Sequence, residues 1–171
     1  SVAEGVMGYY DGLGGISEEA SSSDVAAALN MPVVLVVNCR GMSISVVPLI
    51  KGFLEYQNPS RIKGVILNQM PKSLYADMKA QIERWLPVKV LGYVPKVEDL
   101  VLESRHLGLV LPGEIESLKE KLNRLAAVLE ESIDLDAFLA LAYEAPDFTY
   151  ETPELPKLSG GKKVRIGVAE D

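Results

Sequence analysis

The densest set of residues able to do chemistry is Glu4-Gly5-Val6-Met7-Gly8-Tyr9-Tyr10-Asp11-Gly12. An acidic residue near the end of an apolar strand, followed by glycines, suits a magnesium–phosphate site. The carboxylate of Glu4 would reach the ion or its waters, and glycine lets phosphate oxygens approach the backbone. Asp11 could contact a second metal ion or the acceptor substrate. Tyr9 and Tyr10 could offer an apolar face to a large flat substrate. The plain alternative is a turn carrying two solvated acids. Loops at strand ends are where α/β folds keep function, which keeps the first reading alive.

Further along, Asn68 closes the run Gly64-Val65-Ile66-Leu67-Asn68-Gln69. A side-chain amide donates and accepts at once, which suits the edge of a purine. Taken alone, a cap or turn residue is the default. Gly92-Tyr93-Val94-Pro95 ends another such run. Pro95 and the neighbouring carbonyls could line the same base pocket, or could simply turn the chain. Arg105 is a candidate for an anion, against the default of a surface ion pair. His106 beside it is the single histidine, so zinc chemistry lacks a ligand set and a packing role is favoured. Cys39 follows the apolar run Val33 to Val37 and reads as a buried structural thiol, not a nucleophile.

Two glycine-rich segments are decoys. Gly12-Leu13-Gly14-Gly15 lacks a dinucleotide fingerprint because Ser17 stands at the third glycine. Gly160-Gly161-Lys162-Lys163 has no upstream glycine and precedes a strand-like run rather than a helix. The sequence therefore holds no P-loop. With neither a P-loop nor a cysteine–histidine pair, the chain alone is expected to hydrolyse neither ATP nor glutamine.

The elements that must position these residues alternate. Apolar, β-branched runs at Val2–Val6, Val33–Val37, Ile62–Leu67 and Val88–Val94 predict strands buried on both faces of a parallel sheet. Helices are predicted near 22–29, 45–56, 73–85 and 114–131. Ser21 to Ser23 can cap the first and Ser43 or Ser45 the second, where Pro48 falls in the opening turn. Ile115, Leu118, Leu122, Leu125 and Leu129 predict one buried face on the fourth. Asp134 could cap a short helix through Leu141. The pattern predicts a doubly wound α/β fold, with its ligand site at the carboxyl ends of the strands. From Ala145 to Gly161 prolines and glycines read as a linker, after which Val164–Ala169 is strand-like again. Both ends are expected to be cuts through a longer chain.

The whole chain of 171 residues is long enough for one sizeable core. Its net charge of -7 argues against a broad nucleic-acid surface. No apolar run reaches membrane-spanning length, and no secretory signal pattern follows Ser1. One cysteine rules out an internal disulfide framework and fits a reducing cytoplasm. The expected location is cytoplasmic, with no nucleic-acid or membrane partner.

Glu4 through Gly12, Ser22-Ser23-Asp24-Val25-Ala26, Pro32 through Val37, Arg40-Gly41-Met42-Ser43, Gly64 through Asn68 and Ser104 through Leu109 occur in an order that resembles one family. It is the cobyrinate a,c-diamide synthase family, of the dethiobiotin-synthetase-like amidotransferases. The resemblance is firm over about residues 1 to 115. It implies a P-loop NTPase-like α/β fold whose mostly parallel sheet carries flanking helices. It also implies an ATP- and magnesium-dependent synthetase joined to a C-terminal glutaminase. ATP would phosphorylate the a and c acetate carboxylates of cobyrinate, and ammonia from glutamine would give the amides, a step of cobalamin biosynthesis. Glu4 then corresponds to a residue at the magnesium–triphosphate site, Asp11 to one beside the corrinoid carboxylates, and Asn68 to one in the adenine pocket.

On this resemblance, residues 1–144 are the C-terminal part of the synthetase domain and 145–163 a linker. Residues 164–171 are the first strand of a truncated glutaminase domain. The family's P-loop would precede the chain, and its glutaminase cysteine and histidine would follow it. A homodimer is left open. The family usually has aspartate where Asn38 stands and a basic residue where Gln69 stands. The alternatives are a related synthetase on another tetrapyrrole acid and a non-catalytic nucleotide-fold module binding a partner through helix 114–131.

Overall fold

The structure, a computed structural model, describes residues 2–5, 7–97, 118–147, 149–152, 154 and 167. Three strands, β1 (Val33–Asn38), β2 (Ile62–Asn68) and β3 (Lys89–Val94), pair in parallel in the order β1-β2-β3. The helices are α1 (Ser22–Ala28), α2 (Val46–Tyr56), α3 (Lys72–Trp85), α4 (Leu118–Ser132) and α5 (Leu135–Ala142). The sheet is therefore the parallel α/β arrangement that the apolar runs predict.

Side-chain alternation assigns the two faces. Val65, Leu67, Val90 and Tyr93 join one cluster with Val46 and Ile50 of α2 and Met78 and Ile82 of α3. The four-residue spacing of each helical pair sets both side chains on one stripe. Ile50, Leu67 and Ile82 are wholly buried. Each such side chain contributes about 1.5–3 kcal/mol by leaving water. Tyr75 of α3 stacks on Tyr93 with ring centroids 4.4 Å apart, fixing that helix over β3.

The other face is reached by α4 and α5. Leu91 and Leu141, both buried, crowd Gly64, where a Cβ would come within 2.6 Å of the Leu91 side chain. Leu91 is the extra residue of a bulge, since Val65 faces Val90 while Ile66 faces Gly92. The bulge turns the Leu91 carbonyl to the Asp134 amide at 2.7 Å, and Gly92 forms an isolated bridge with Ile133.

Local capping explains the helix starts. Ser21 accepts from the Asp24 amide, and the Asp24 carboxylate accepts from the Ala20 amide in return. Asp134 likewise accepts from the Ala137 amide and opens α5. The expected side-chain cap at Ser45 does not form. Ser45 is already helical in conformation, and the first amides of α2 bond instead to the Ser43, Ile44 and Ser45 carbonyls.

Two further expectations are corrected. Residues 2–5 form no strand and are exposed, Val2 by 85 %. Their apolar character is not matched by a ladder partner among the described residues, and a strand needs one. The α4 stripe is also only half covered. No residue of α4 is buried and Leu122 is 52 % exposed, because the helix meets the sheet mainly at β3. Positions 114–117 of that predicted helix lie outside the described residues, as does the strand expected at 164–169 apart from Gly167. Among the described residues no helix is long and apolar enough to cross a membrane.

Candidate functional site

The carboxyl ends of the strands bring three of the sequence-selected positions into one row. Asn38 lies opposite Asn68 in the β1–β2 register, and Asn68 lies opposite Val94, one residue before Pro95. The row is held by backbone bonds. The Cys39 amide donates to the Asn68 carbonyl at 2.7 Å, and the Met70 amide to the Val94 carbonyl at 3.2 Å. Gln69 between them adopts a left-handed conformation with φ 57°, so the chain leaves β2 in a sharp turn. Asn68 and Pro95 are both half-buried, whereas Asn38 is exposed. The Asn38 side-chain oxygen already accepts from the Arg40 amide. Among the described residues the Asn68 side chain has no hydrogen-bond partner, which leaves its amide the better placed of the two to meet a polar ring edge.

Cys39 sits directly behind this row, fully buried, with its thiol donating to the Val37 carbonyl at 3.3 Å. Burial pushes its pKa from 9.0 up to about 11. A thiol of that kind stays protonated at neutral pH and is no nucleophile.

The segment from Glu4 to Asp11 lies apart from the row. Glu4 is exposed, and Gly5 passes so close to the Ser22 hydroxyl that no side chain would fit there. Asp11 closes a turn: its amide donates to the Gly8 carbonyl at 3.0 Å, and its carboxylate accepts from the Gly8 amide at 3.0 Å. Beyond it, Gly12 and Leu13 donate to the Ser17 and Glu19 carbonyls, so residues 12–19 form a closed loop.

Tyr9 packs against the core, and the Ser23 amide donates to its carbonyl at 3.0 Å. Burial raises its phenol pKa. The Tyr10 hydroxyl donates to the Phe53 carbonyl at 2.6 Å. Its ring lies 5.9 Å from Phe53 and 4.6 Å from Tyr56, centroid to centroid. Burial, then the neighbouring Tyr9, Glu18 and Tyr56, push its pKa up to about 12. Tyr10 is thus a neutral donor, and its ring walls an open apolar groove of about 320 Å³ with Pro48, Leu49, Gly52, Phe53 and Tyr56.

This segment therefore sits on the later turns of α2, which lead toward the start of β2. The Asn68–Pro95 row closes the opposite end of the same strands. No described hydrogen bond joins the two groups. Arg105 and His106 lie outside the described residues.

A polar chain that sequence reasoning missed ties this segment down. The Ser23 hydroxyl donates to Gln57 Oε1 at 2.6 Å and Gln57 Nε2 donates to Glu18, whose carboxylate beside the Tyr56 hydroxyl raises that phenol's pKa. Its only advance signal is that Gln57 ends α2 as a polar residue after Tyr56.

Among the described residues no group of three or more His, Cys, Asp or Glu could hold a metal ion. A magnesium ion bound chiefly through phosphate oxygens and water needs only one or two protein carboxylates, and Glu4 can supply one.

Residues 2–104 match the family described as "AAA domain". Cobyrinate a,c-diamide synthase of Caldanaerobacter subterraneus subsp. tengcongensis is 41% identical over 172 residues, covering 100% of this chain and 37% of the relative. The proteins of that name from Limosilactobacillus reuteri and Clostridium tetani are 36% and 40% identical, over 99% and 86% of this chain and 37% and 33% of theirs. The chain thus spans little more than a third of the length of these curated relatives. No solved structure matches the chain. The family match and the parallel sheet between helices agree on a P-loop NTPase-like α/β fold.

Proposed function

The chain belongs to the AAA-domain family, and from that premise we propose that it is part of an ATP- and glutamine-dependent amidotransferase acting on the a and c acetate carboxylates of cobyrinate. The observation that carries this reading is the similarity along 100% of the chain to one continuous 37% of a cobyrinate a,c-diamide synthase. Similarity that covers the whole chain, the Glu4–Asp11 segment and all three strands included, favours a shared reaction over a borrowed scaffold. In this reading residues 1–144 belong to the synthetase domain, 145–163 link it onward, and 164–171 open a glutaminase domain. The enzyme works in the cytoplasm on a corrinoid acid.

ATP supplies the phosphoryl group that turns a poor leaving oxide into phosphate. The acceptor carboxylate takes the γ-phosphoryl group with release of ADP, and ammonia from glutamine then displaces phosphate and gives up a proton to leave the amide. This chain's residues bind and orient for those steps. Glu4 is assigned to the magnesium ion at the phosphates on the resemblance alone, since its segment packs at the far end of the strands from Asn68 and Pro95. Asn68 and Pro95 are assigned to the adenine edge, supported by their adjacency at the strand ends. Tyr9, Tyr10 and Asp11 are assigned to the acceptor, with Arg105 as a further anion contact. An acid facing acids must have a proton, a cation or a donor between them. Asp11 already accepts from the Gly8 amide within its own turn, so the bridge to the acceptor is assigned to a proton or a cation.

The test is ATP-dependent transfer of glutamine nitrogen to cobyrinate by the full-length protein, with cobyrinate compared against other tetrapyrrole acids under the same conditions. A strong preference for another acid moves the enzyme to a sister reaction. Absence of transfer to every acid leaves the non-catalytic module.

A further inference from the structure

We infer that Gln57 is a positioning residue that holds the Tyr9–Tyr10–Asp11 segment in its working place on α2, an inference that rests on the acceptor role proposed for that segment. Gln57 is the C-cap residue of α2 and is half-buried. Its side chain reaches both flanks of the segment. On one flank Gln57 Oε1 accepts from the hydroxyl of Ser23, whose own amide holds the Tyr9 carbonyl. Ser23 is only 1 % exposed, so this contact is shielded from water. On the other flank Gln57 Nε2 donates to Glu18, which belongs to the closed loop following Asp11.

A glutamine can do this because one amide presents an acceptor and two donors from a single planar group. Glu18 also lies beside the Tyr56 phenol, whose pKa it raises, and the Tyr56 ring packs on Tyr10. The segment is therefore gripped on three sides of Tyr10, by Phe53, Tyr56 and the Gln57 bridge, all from one helix end. The four polar partners come from three separate stretches of chain, 18, 23 and 56–57. Losing the central amide releases both flanks together, whereas losing Tyr56 or Ser23 alone would release one.

The decisive variants are Gln57→Glu and the exchange Glu18→Gln with Gln57→Glu. The single change keeps an acceptor for Ser23 but sets two carboxylates against each other. The double change restores one amide and one carboxylate with the roles reversed. Using the full-length protein with cobyrinate and ATP varied separately, Gln57→Glu should raise the KM for cobyrinate about tenfold, the scale of one charged hydrogen bond. It should leave the KM for ATP within about twofold, and the double variant should return the cobyrinate KM to within about twofold of the original. Equal changes in both KM values, or a double variant no better than the single one, would overturn the assignment.

Amide hydrogen exchange over residues 8–21 is read in parallel and needs no turnover. Faster exchange in Gln57→Glu, reversed in the double variant, supports the grip even if the parent protein shows no activity on cobyrinate, an outcome that would count against the acceptor reading alone. Unchanged exchange in Gln57→Glu overturns the grip itself. Should Gln57→Glu fail to fold, Gln57→Ala removes the bridge without the repulsion and is judged by the same two readings.

Discussion

The amide of Asp134 donates to the carbonyl of Leu91 across 2.7 Å, joining the start of α5 to a bulge inside β3. The bulge frees a carbonyl that a regular ladder would have used, and the α4–α5 junction takes it. This close approach depends on the next residue. Gly92 has φ 151°, and a Cβ there would meet the Ser132 carbonyl and lie 2.7 Å from the Ile133 Cα.

Gly92→Ala should therefore lower stability by about 2–4 kcal/mol, combining backbone strain with overpacking. Gly41, at φ 70° with nothing near its would-be Cβ, is the control. Its alanine variant should show only the strain, about 1 kcal/mol. Thermal melting of the two variants side by side checks the difference, and equal shifts would remove the packing part of the argument.

Glu4 is exposed, so Glu4→Gln should leave folding intact. If its charge serves the phosphates, turnover of the full-length enzyme should fall by on the order of 10²–10³. Steady-state rates alongside circular dichroism check this, and near-parental turnover would return Glu4 to a solvated turn.

Asp11→Asn keeps an oxygen to accept from the Gly8 amide, so the turn should survive while the charge is lost. The KM for ATP should stay within about twofold, the scale of a lost exposed charge. The rate of amide formation should drop, or the order in which the two acetates react should change. Mass analysis of the half-amidated product reads the second outcome. A change confined to the ATP dependence would transfer Asp11 to the nucleotide.

Cys39 should resist thiol reagents at pH 7 to 8 in the native protein and react on unfolding, because it is fully buried and protonated. Its folded pKa is raised, so the folded state holds the proton more tightly than the unfolded one. Its effect on stability is absent below pH 9.0 and becomes a progressive loss between 9.0 and about 11. Rapid labelling at neutral pH without unfolding would contradict this placement.

How much of this was legible in sequence follows from the range of each interaction. Val33–Asn38, Ile62–Asn68 and Lys89–Val94 were readable within a residue or two from their continuous β-branched runs, although the expected cover on both faces fails at β1, where Val36 is 60 % exposed. Ser21 and Asp134 were readable as caps because a cap acts within three residues. The run opening at Val2 misled over residues 2–5, since an apolar run carries no information about whether a neighbouring strand receives it. The Leu91 bulge, and the bridge from Ser23 through Gln57 to Glu18, link residues 34 to 43 positions apart. Nothing in local composition encodes such pairings. Asn68 and Pro95 were selected separately, and only the strand register shows them to be neighbours.

The central claim is the amidation itself. Full-length protein supplied with cobyrinate, ATP, magnesium and amide-labelled ¹⁵N-glutamine should yield cobyrinate a,c-diamide carrying the label at both amides, with ADP and phosphate released in step. Omitting ATP should abolish the product. Unlabelled cobyrinate recovered unchanged from a folded, ATP-binding protein would contradict the account.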